Sequence, residues 1–225
     1  MYKGIENNLE LYEYLKEFLT EDKLKKIENL VNFRTEFVVP VIEDIYQFRN
    51  AAAIVRSMEA FGFQSLYALQ NRNEFSPETT VSRGADKWID INYMSSGIES
   101  LIKIKEKGYQ MVAVSPEKNA IPIHDFIIDK PTALIFGTEF KGVTIETLNF
   151  ADYSLSIPMK GFTESLNVSV AAGICFYEFR KQLERSKLDW KISDERKINL
   201  KTQWAINSIS SGKEIAEYYL KKINK

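Results

Sequence analysis

The sequence predicts an α/β fold: a mostly parallel sheet covered by helices on both faces. Two observations carry the prediction. From Glu36 onward, apolar runs of strand length alternate with segments of helical periodicity, and parallel neighbours need crossover connections because no tight turn can join them. The 225 residues are 44% hydrophobic and 27% charged, a globular composition that argues against a largely disordered chain and supports one substantial core. No internal repeat or low-complexity tract interrupts the pattern.

In chain order, Leu11, Leu15 and Phe18, then Leu24, Ile27 and Val31, stand at helical spacing. Thr20-Glu21-Asp22 between them reads as a cap and an acidic first turn, so two short amphipathic helices are expected. Phe37 to Ile42 and Leu66 to Leu69 read as strands flanking a helix from about Arg49 to Phe61. Pro40 donates no ladder hydrogen bond, which places its strand near a sheet edge or gives it a bulge. The alternation continues with a strand around Trp88 to Tyr93, a helix at Gly97 to Lys107, and strands at Gln110 to Val114 and Thr132 to Phe136. A short helix is expected after Gly142, then a strand ending at Ile157, then a long helix from about Ser165 to Lys187. Phe176, Tyr177 and Phe179 on that last helix fit either a subunit interface or the core of their own chain. In the tail, Ser211 with Glu214 reads as a capping box leading into Ile215, Tyr219 and Leu220.

Charge and composition narrow the function. The net charge of -1 advertises neither a nucleic-acid glue nor a membrane-surface protein, so an anionic partner must be held locally. Cys175 is the only cysteine, which excludes an intramolecular disulfide and any four-cysteine metal site and fits a reducing, cytoplasmic setting. The sole histidine, His124, has no acid or nucleophile spacing around it and reads as a structural or surface residue. No apolar run reaches membrane-span length, and Met1 to Leu11 carries acidic residues where a signal peptide needs basic and apolar ones.

In α/β sheets ligands collect at the carboxyl ends of strands, so the loops there are the most informative. In Arg49 to Arg56, Asn50 near a helix start and Arg56 two turns inside fit either a cap and a surface arginine or a polar site. Gly137-Thr138-Glu139-Phe140-Lys141-Gly142 is a glycine-flanked turn with one carboxylate; it matches neither the dinucleotide nor the nucleotide-triphosphate fingerprint. Ile157 to Ala172 places small and polar residues at a helix start before an apolar run, as for a helix whose first amides face a pocket. Its plain reading has Ser165 as the cap and Asn167 satisfying a buried backbone group.

Together these segments resemble the three motifs of the SpoU-type branch of the SPOUT RNA methyltransferases. The first is Asn50 with Arg56, the second Gly137-x-Glu139-x-x-Gly142, and the third Ile157-Pro158-Met159 through Ser165-Leu166-Asn167-Val168-Ser169. Ser82 to Trp88 also resembles the family's small-residue-Gly-x-x-x-Trp stretch, and short helical extensions make the TrmH type, tRNA (guanosine-2'-O)-methyltransferases, the nearest match. The sequence departs from the usual pattern at Arg49, where many relatives have histidine, and at Thr138 and Phe140.

The resemblance implies a homodimer that uses S-adenosylmethionine, without metal, to methylate a ribose 2'-hydroxyl of RNA, in particular the D-loop guanosine of tRNA. It implies a deep C-terminal trefoil knot, which periodicity could not reveal. A methyltransferase domain is expected over residues 32–185, with helical extensions over 1–31 and 186–225. By position, backbone groups of Val114, Gly137, Ile157, Met159 and Leu166 would hold the cofactor. Arg56, Asn50, Glu139, Ser165 and Asn167 would form the catalytic site, with Arg56 as an electrostatic clamp, because a guanidinium stays protonated. Methylation of ribosomal RNA and a non-catalytic RNA-binding role are the alternatives.

Charge adds an expectation about RNA docking. Residues 186–225 hold 9 basic and 5 acidic residues, against 5 and 7 in 1–31 and 16 and 19 in 32–185. Only the tail is basic, so Lys187, Lys191, Arg196, Lys197 and Lys201 are expected to contact tRNA, aided by Arg49 and Arg83. In the other reading, Trp190, Trp204 and Tyr219 pack the tail and its lysines only face solvent.

Overall fold

A computed structural model of the chain describes residues 9–45, 47–71, 75, 82–117, 119–138 and 141–223. The chain forms two compact units: Thr35–Trp190 is one, and Met1–Arg34 with Lys191–Lys225 is the other. Helices α1 (Leu9–Lys16) and α2 (Glu21–Leu30) open the chain. The larger unit contains β1 (Val38–Glu43), α3 (Phe48–Ala60), β2 (Ser65–Gln70), β3 (Asp90–Ser95), α4 (Ile98–Lys105), β4 (Gln110–Val114), β5 (Ile121–Pro122), β6 (Thr132–Phe136), α5 (Ile145–Phe150), β7 (Tyr153–Ser156) and α6 (Val168–Arg185). Helices α7 (Asp194–Ser208) and α8 (Gly212–Ile223) close it. Among the described residues the strands form one parallel sheet in the order β3-β2-β1-β6-β4-β7-β5.

Strand side chains alternate between faces, and in the middle of this sheet both faces are dry. On one face Val38, Ile42, Leu134 and Phe136 join Ile54 and Met58 of α3 and Phe176, Phe179 and Leu183 of α6. On the other, Val39, Val41, Ala133 and Ile135 meet Leu101 and Ile104 of α4. This two-sided burial explains why the central strands are unbroken apolar runs.

Several expectations change on this scaffold. The strand carrying Pro40 is interior, not an edge, and takes the other expected form, an interruption of the pairing with β2. Thr132 N–H donates to Phe37 C=O, so residues 37, 39 and 41 aim their backbone groups at β6 and Pro40 is aimed at β2. There the pairing jumps from Thr35↔Phe63 to Val41↔Tyr67, six residues against four, so no ladder donor is required at Pro40. The strand placed around Trp88 begins at Asp90, after a 3-10 turn over Ala85–Trp88. The long helix begins at Val168, with Asn167 rather than Ser165 as its N-cap. Phe176 and Phe179 are fully buried core residues of their own chain, whereas Tyr177 is 59% exposed and open to a partner.

The capping box at Ser211 does not form. Ser211 has φ +57, outside the extended conformation an N-cap needs. The turn is set instead by Gly212, where a Cβ would lie 2.2 Å from the Ile206 carbonyl oxygen.

The helical unit is held by polar and aromatic pairs as well as apolar contact. The Tyr12 hydroxyl donates to Glu28 at 2.7 Å, and Lys201 lies 3.2 Å from the same carboxylate and 4.8 Å from the Tyr12 ring centroid. Burial raises the Glu28 carboxyl, but the Tyr12 hydrogen bond and Lys201 outweigh it and hold the group below its ordinary value. Tyr14 stacks on Tyr219 at 4.6 Å, and Arg34 covers Trp204 at 4.9 Å. No helix among the described residues is long and apolar enough to cross a membrane.

Candidate active site

β6, β4 and β7 are neighbours in the sheet, and their carboxyl ends open into one cavity of about 500 Å³. That volume lies within the roughly 300–1,000 Å³ range of small-molecule sites. β4 ends in Val114, which lines the cavity, and Ser115 N–H then donates to Leu155 C=O at 2.9 Å, tying the β4 exit to β7.

β6 ends at Phe136 and passes directly into Gly137. A Cβ on Gly137 would fall 2.0 Å from the backbone carbon of Gly142 and 2.1 Å from the Val143 nitrogen, so only glycine lets the turn close. Thr138 and Gly142 then exchange backbone hydrogen bonds at 3.0 and 2.9 Å, and the Thr138 hydroxyl accepts from Lys141 N–H. Glu139, expected in the catalytic set, and Phe140 lie outside the described residues.

Past β7, Ile157, Met159, Ser165 and Leu166 complete the wall, together with Val168 and Ala171 from the first turn of α6. Thus Val114, Gly137, Ile157, Met159 and Leu166 all line the same cavity, from three separate stretches of chain. The apolar wall suits a flat apolar ring, and Glu117, Glu164 and Lys141 supply charge at its polar parts.

Asn167 joins this cavity to α3. Its side-chain oxygen accepts from Ser169 N–H at 2.8 Å and from the Ser169 hydroxyl at 2.6 Å, capping α6. Its amide nitrogen donates to Asn50 Oδ1 at 3.1 Å, and Asn50 is only 6% exposed in the first turn of α3. Asn50 and Asn167 are therefore together, 117 residues apart in sequence.

Arg56 is elsewhere. It is exposed and does not line the cavity. Arg49 is exposed as well, and seven residues at 3.6 per turn put both guanidinium-bearing positions on one face of α3. Arg83, with φ +50, leads into the amino end of β3, away from the cavity walls. Lys187 and Lys191 are exposed, and Lys197 is paired with Asp194 at 2.7 Å.

One residue near the cavity has no place in the three motifs. Glu43, the last residue of β1, is 4% exposed and accepts from the Thr144 N–H at 3.2 Å and from the Thr147 hydroxyl at 2.9 Å. A carboxylate directly ending an apolar strand was the available signal, because that position faces the ligand end of the sheet. Cys175 is buried, which pushes its thiol up to about 12 and leaves it without a nucleophilic role.

Residues 38–177 match the model of the SpoU rRNA Methylase family. A tRNA (guanosine(18)-2'-O)-methyltransferase of Borreliella burgdorferi is 33% identical over 190 residues, covering 84% of this chain and 87% of the relative. One of the same name from Aquifex aeolicus is 32% identical over 163 residues, covering 71% and 77%. The crystal structure of an A. aeolicus TrmH/SpoU tRNA modifying enzyme superposes with a TM-score of 0.77 at 29% identity, covering 84% of this chain and 98% of that one.

Proposed function

This chain belongs to the SpoU rRNA Methylase family, and on that premise we propose that it transfers a methyl group from S-adenosylmethionine to the ribose 2'-hydroxyl of guanosine 18 in the D-loop of tRNA. The observation that carries the reading is the convergence of Val114, Gly137, Ile157, Met159, Ser165 and Leu166 on one cavity at the carboxyl ends of β4, β6 and β7. The residues present fit the cofactor: apolar walls for its adenine ring, and two carboxylates with one lysine for a cation that carries its own carboxylate.

When bound, S-adenosylmethionine supplies a methyl group already activated on a sulfonium. The chain must do the rest. A ribose hydroxyl is nearly neutral and a poor nucleophile at pH 7, so it must be held in line while its developing negative charge is stabilised. Arg56 is assigned that stabilisation, since its guanidinium stays protonated and cannot act as a literal base; the ribose hydroxyl proton passes to water. The Asn50–Asn167 hydrogen bond holds the start of α3 against the cavity wall, which sets where Arg56's helix lies relative to the donor. Arg49, on the same face of α3, is assigned an RNA phosphate contact. Glu139 and Ser165 complete the assigned catalytic set, and Lys187, Lys191, Lys197 and Arg83 the assigned RNA contacts.

The reading includes a cytoplasmic homodimer, a trefoil knot within the methyltransferase domain over 32–185, and helical extensions over 1–31 and 186–225. Exposed Val170, Ile174 and Tyr177 at helical spacing on α6 support a partner surface there. Incubation with methyl-labelled S-adenosylmethionine and either total tRNA or ribosomal RNA, followed by nucleoside mapping, tests the substrate. Label in the tRNA D-loop guanosine is expected; label confined to ribosomal RNA, or none, overturns the reading.

A further inference from the structure

We infer that Glu43 is a positioning residue for methyl transfer, holding the cavity wall formed by Val143 to Leu148 in register with the strand that leads into α3. The inference rests on the function proposed above. Glu43 lies in the interior of the sheet, at the carboxyl end of β1, beside β6. Both of its oxygens are committed to a segment a hundred residues away: one accepts from Thr144 N–H at 3.2 Å, the other from the Thr147 hydroxyl at 2.9 Å and lies 3.1 Å from the Thr144 hydroxyl. Thr144 is itself the N-cap of α5, its hydroxyl accepting from Thr147 N–H. Val143, Ile145 and Leu148 on either side of these two threonines line the donor cavity.

The other side of Glu43 leads to the substrate arginines. Asp44, with φ +47, donates its N–H to Leu69 C=O at 2.9 Å and accepts from Asn71 N–H at 3.2 Å, which anchors the exit of β1 to the end of β2. Four residues later α3 begins. Glu43 therefore ties the donor wall to the element carrying Asn50 and Arg56. Stability alone is a poor reason for a carboxylate here, because a well-packed apolar residue at a buried site is often as stabilising. Directed bonds fix the distance and rotation of the α5 N-terminus in a way apolar contact does not.

The test uses the full chain with Glu43→Gln, Glu43→Ala and the near-isosteric Thr147→Val, each titrated with S-adenosylmethionine by calorimetry and melted in parallel. Methyl transfer to tRNA is measured alongside. Glu43→Ala should raise the donor dissociation constant and KM by at least about tenfold at unchanged stoichiometry, the scale of losing hydrogen bonds to a charged group. Glu43→Gln and Thr147→Val should fall between it and wild type, because Gln keeps one acceptor oxygen but turns an amide N–H₂ toward a donor. If Glu43→Ala fails to fold, Thr147→Val decides. Wild-type dissociation constants in the folded variants, or a drop in stoichiometry and melting temperature alone, would reduce Glu43 to a structural residue and overturn the inference. A wild-type chain that binds no S-adenosylmethionine would instead bring down the proposed function, and this inference with it.

Discussion

Around the cavity the wall is made of backbone and shape: Gly137 closes a turn with no room for a Cβ, and Val114, Ile157, Met159 and Leu166 present modest apolar side chains. Along α3 the arrangement is reversed, with Arg49 and Arg56 exposed on one face and their long side chains offering charge. On the proposed function the cavity would recognise its ligand by position, so it should tolerate side-chain trimming and fail when its backbone moves. On the same reading the α3 face would act through charge, so it should tolerate backbone-neutral neighbours and fail when a guanidinium is removed.

The largest expected effect breaks the second half of that contrast. Arg56→Ala should lower methyl transfer by about two orders of magnitude or more, the scale of removing an electrostatic stabiliser of the transition state, while donor affinity stays near wild type. Single-turnover kinetics with calorimetric titration would separate the two; wild-type-like turnover would remove Arg56 from the site. Gly137→Ala should do the opposite. Its Cβ would meet the Gly142 and Val143 backbone, so the turn must shift, at a cost of about 1–3 kcal/mol in stability and with loss of donor binding. A melting curve and a titration check it, and unchanged affinity would mean the turn does not shape the cavity.

Asn167→Ala sharpens the comparison because Asn167 belongs to both regions, capping α6 and meeting Asn50. A cap loss of about 1 kcal/mol is expected, accompanied by declines in both donor affinity and turnover. If only stability changed, the link between the regions would be structural. The smallest effects are expected in the tail. Reversing the charges of exposed Lys187 and Lys191 should weaken tRNA binding several-fold and lower its salt slope by about 0.7–0.9 for each phosphate no longer neutralised. Reversing Lys201, already held by Glu28, should instead lower melting temperature and leave the salt slope alone. Identical slopes for all variants would assign the whole tail to packing.

Much of the fold was legible because strand and helix periodicity are local properties. The strands Gln110–Val114 and Thr132–Phe136 stand where their apolar runs begin and end, and Thr20 caps α2 as its side chain suggests. Local rules failed where a neighbour far along the chain, or the turn geometry, decided the outcome. Ser211 has the right residue three positions ahead of it, but the approach of Gly212 to Ile206 twists it to positive φ. Ser165 and Asn167 are both capable caps, and the helix begins at the one that also meets Asn50.

By itself, the sequence determined the α/β class, the central apolar strands and the three motif segments, since each depends on residue type and spacing within a few turns or strand lengths. Only tertiary structure decided which of these residues meet. Pro40 is tolerated in an interior strand because the β2 ladder skips its position. Phe176 and Phe179 face the core while Tyr177 faces out, because α3 and the sheet lie on one side of α6. Glu43 reaches Thr144 and Thr147 across more than a hundred residues because β1 and β6 pair in one particular register. Register and crossover are cooperative properties of the whole sheet: shifting a strand by one residue moves every side chain to the other face and its different packing partners, and no local propensity encodes that choice.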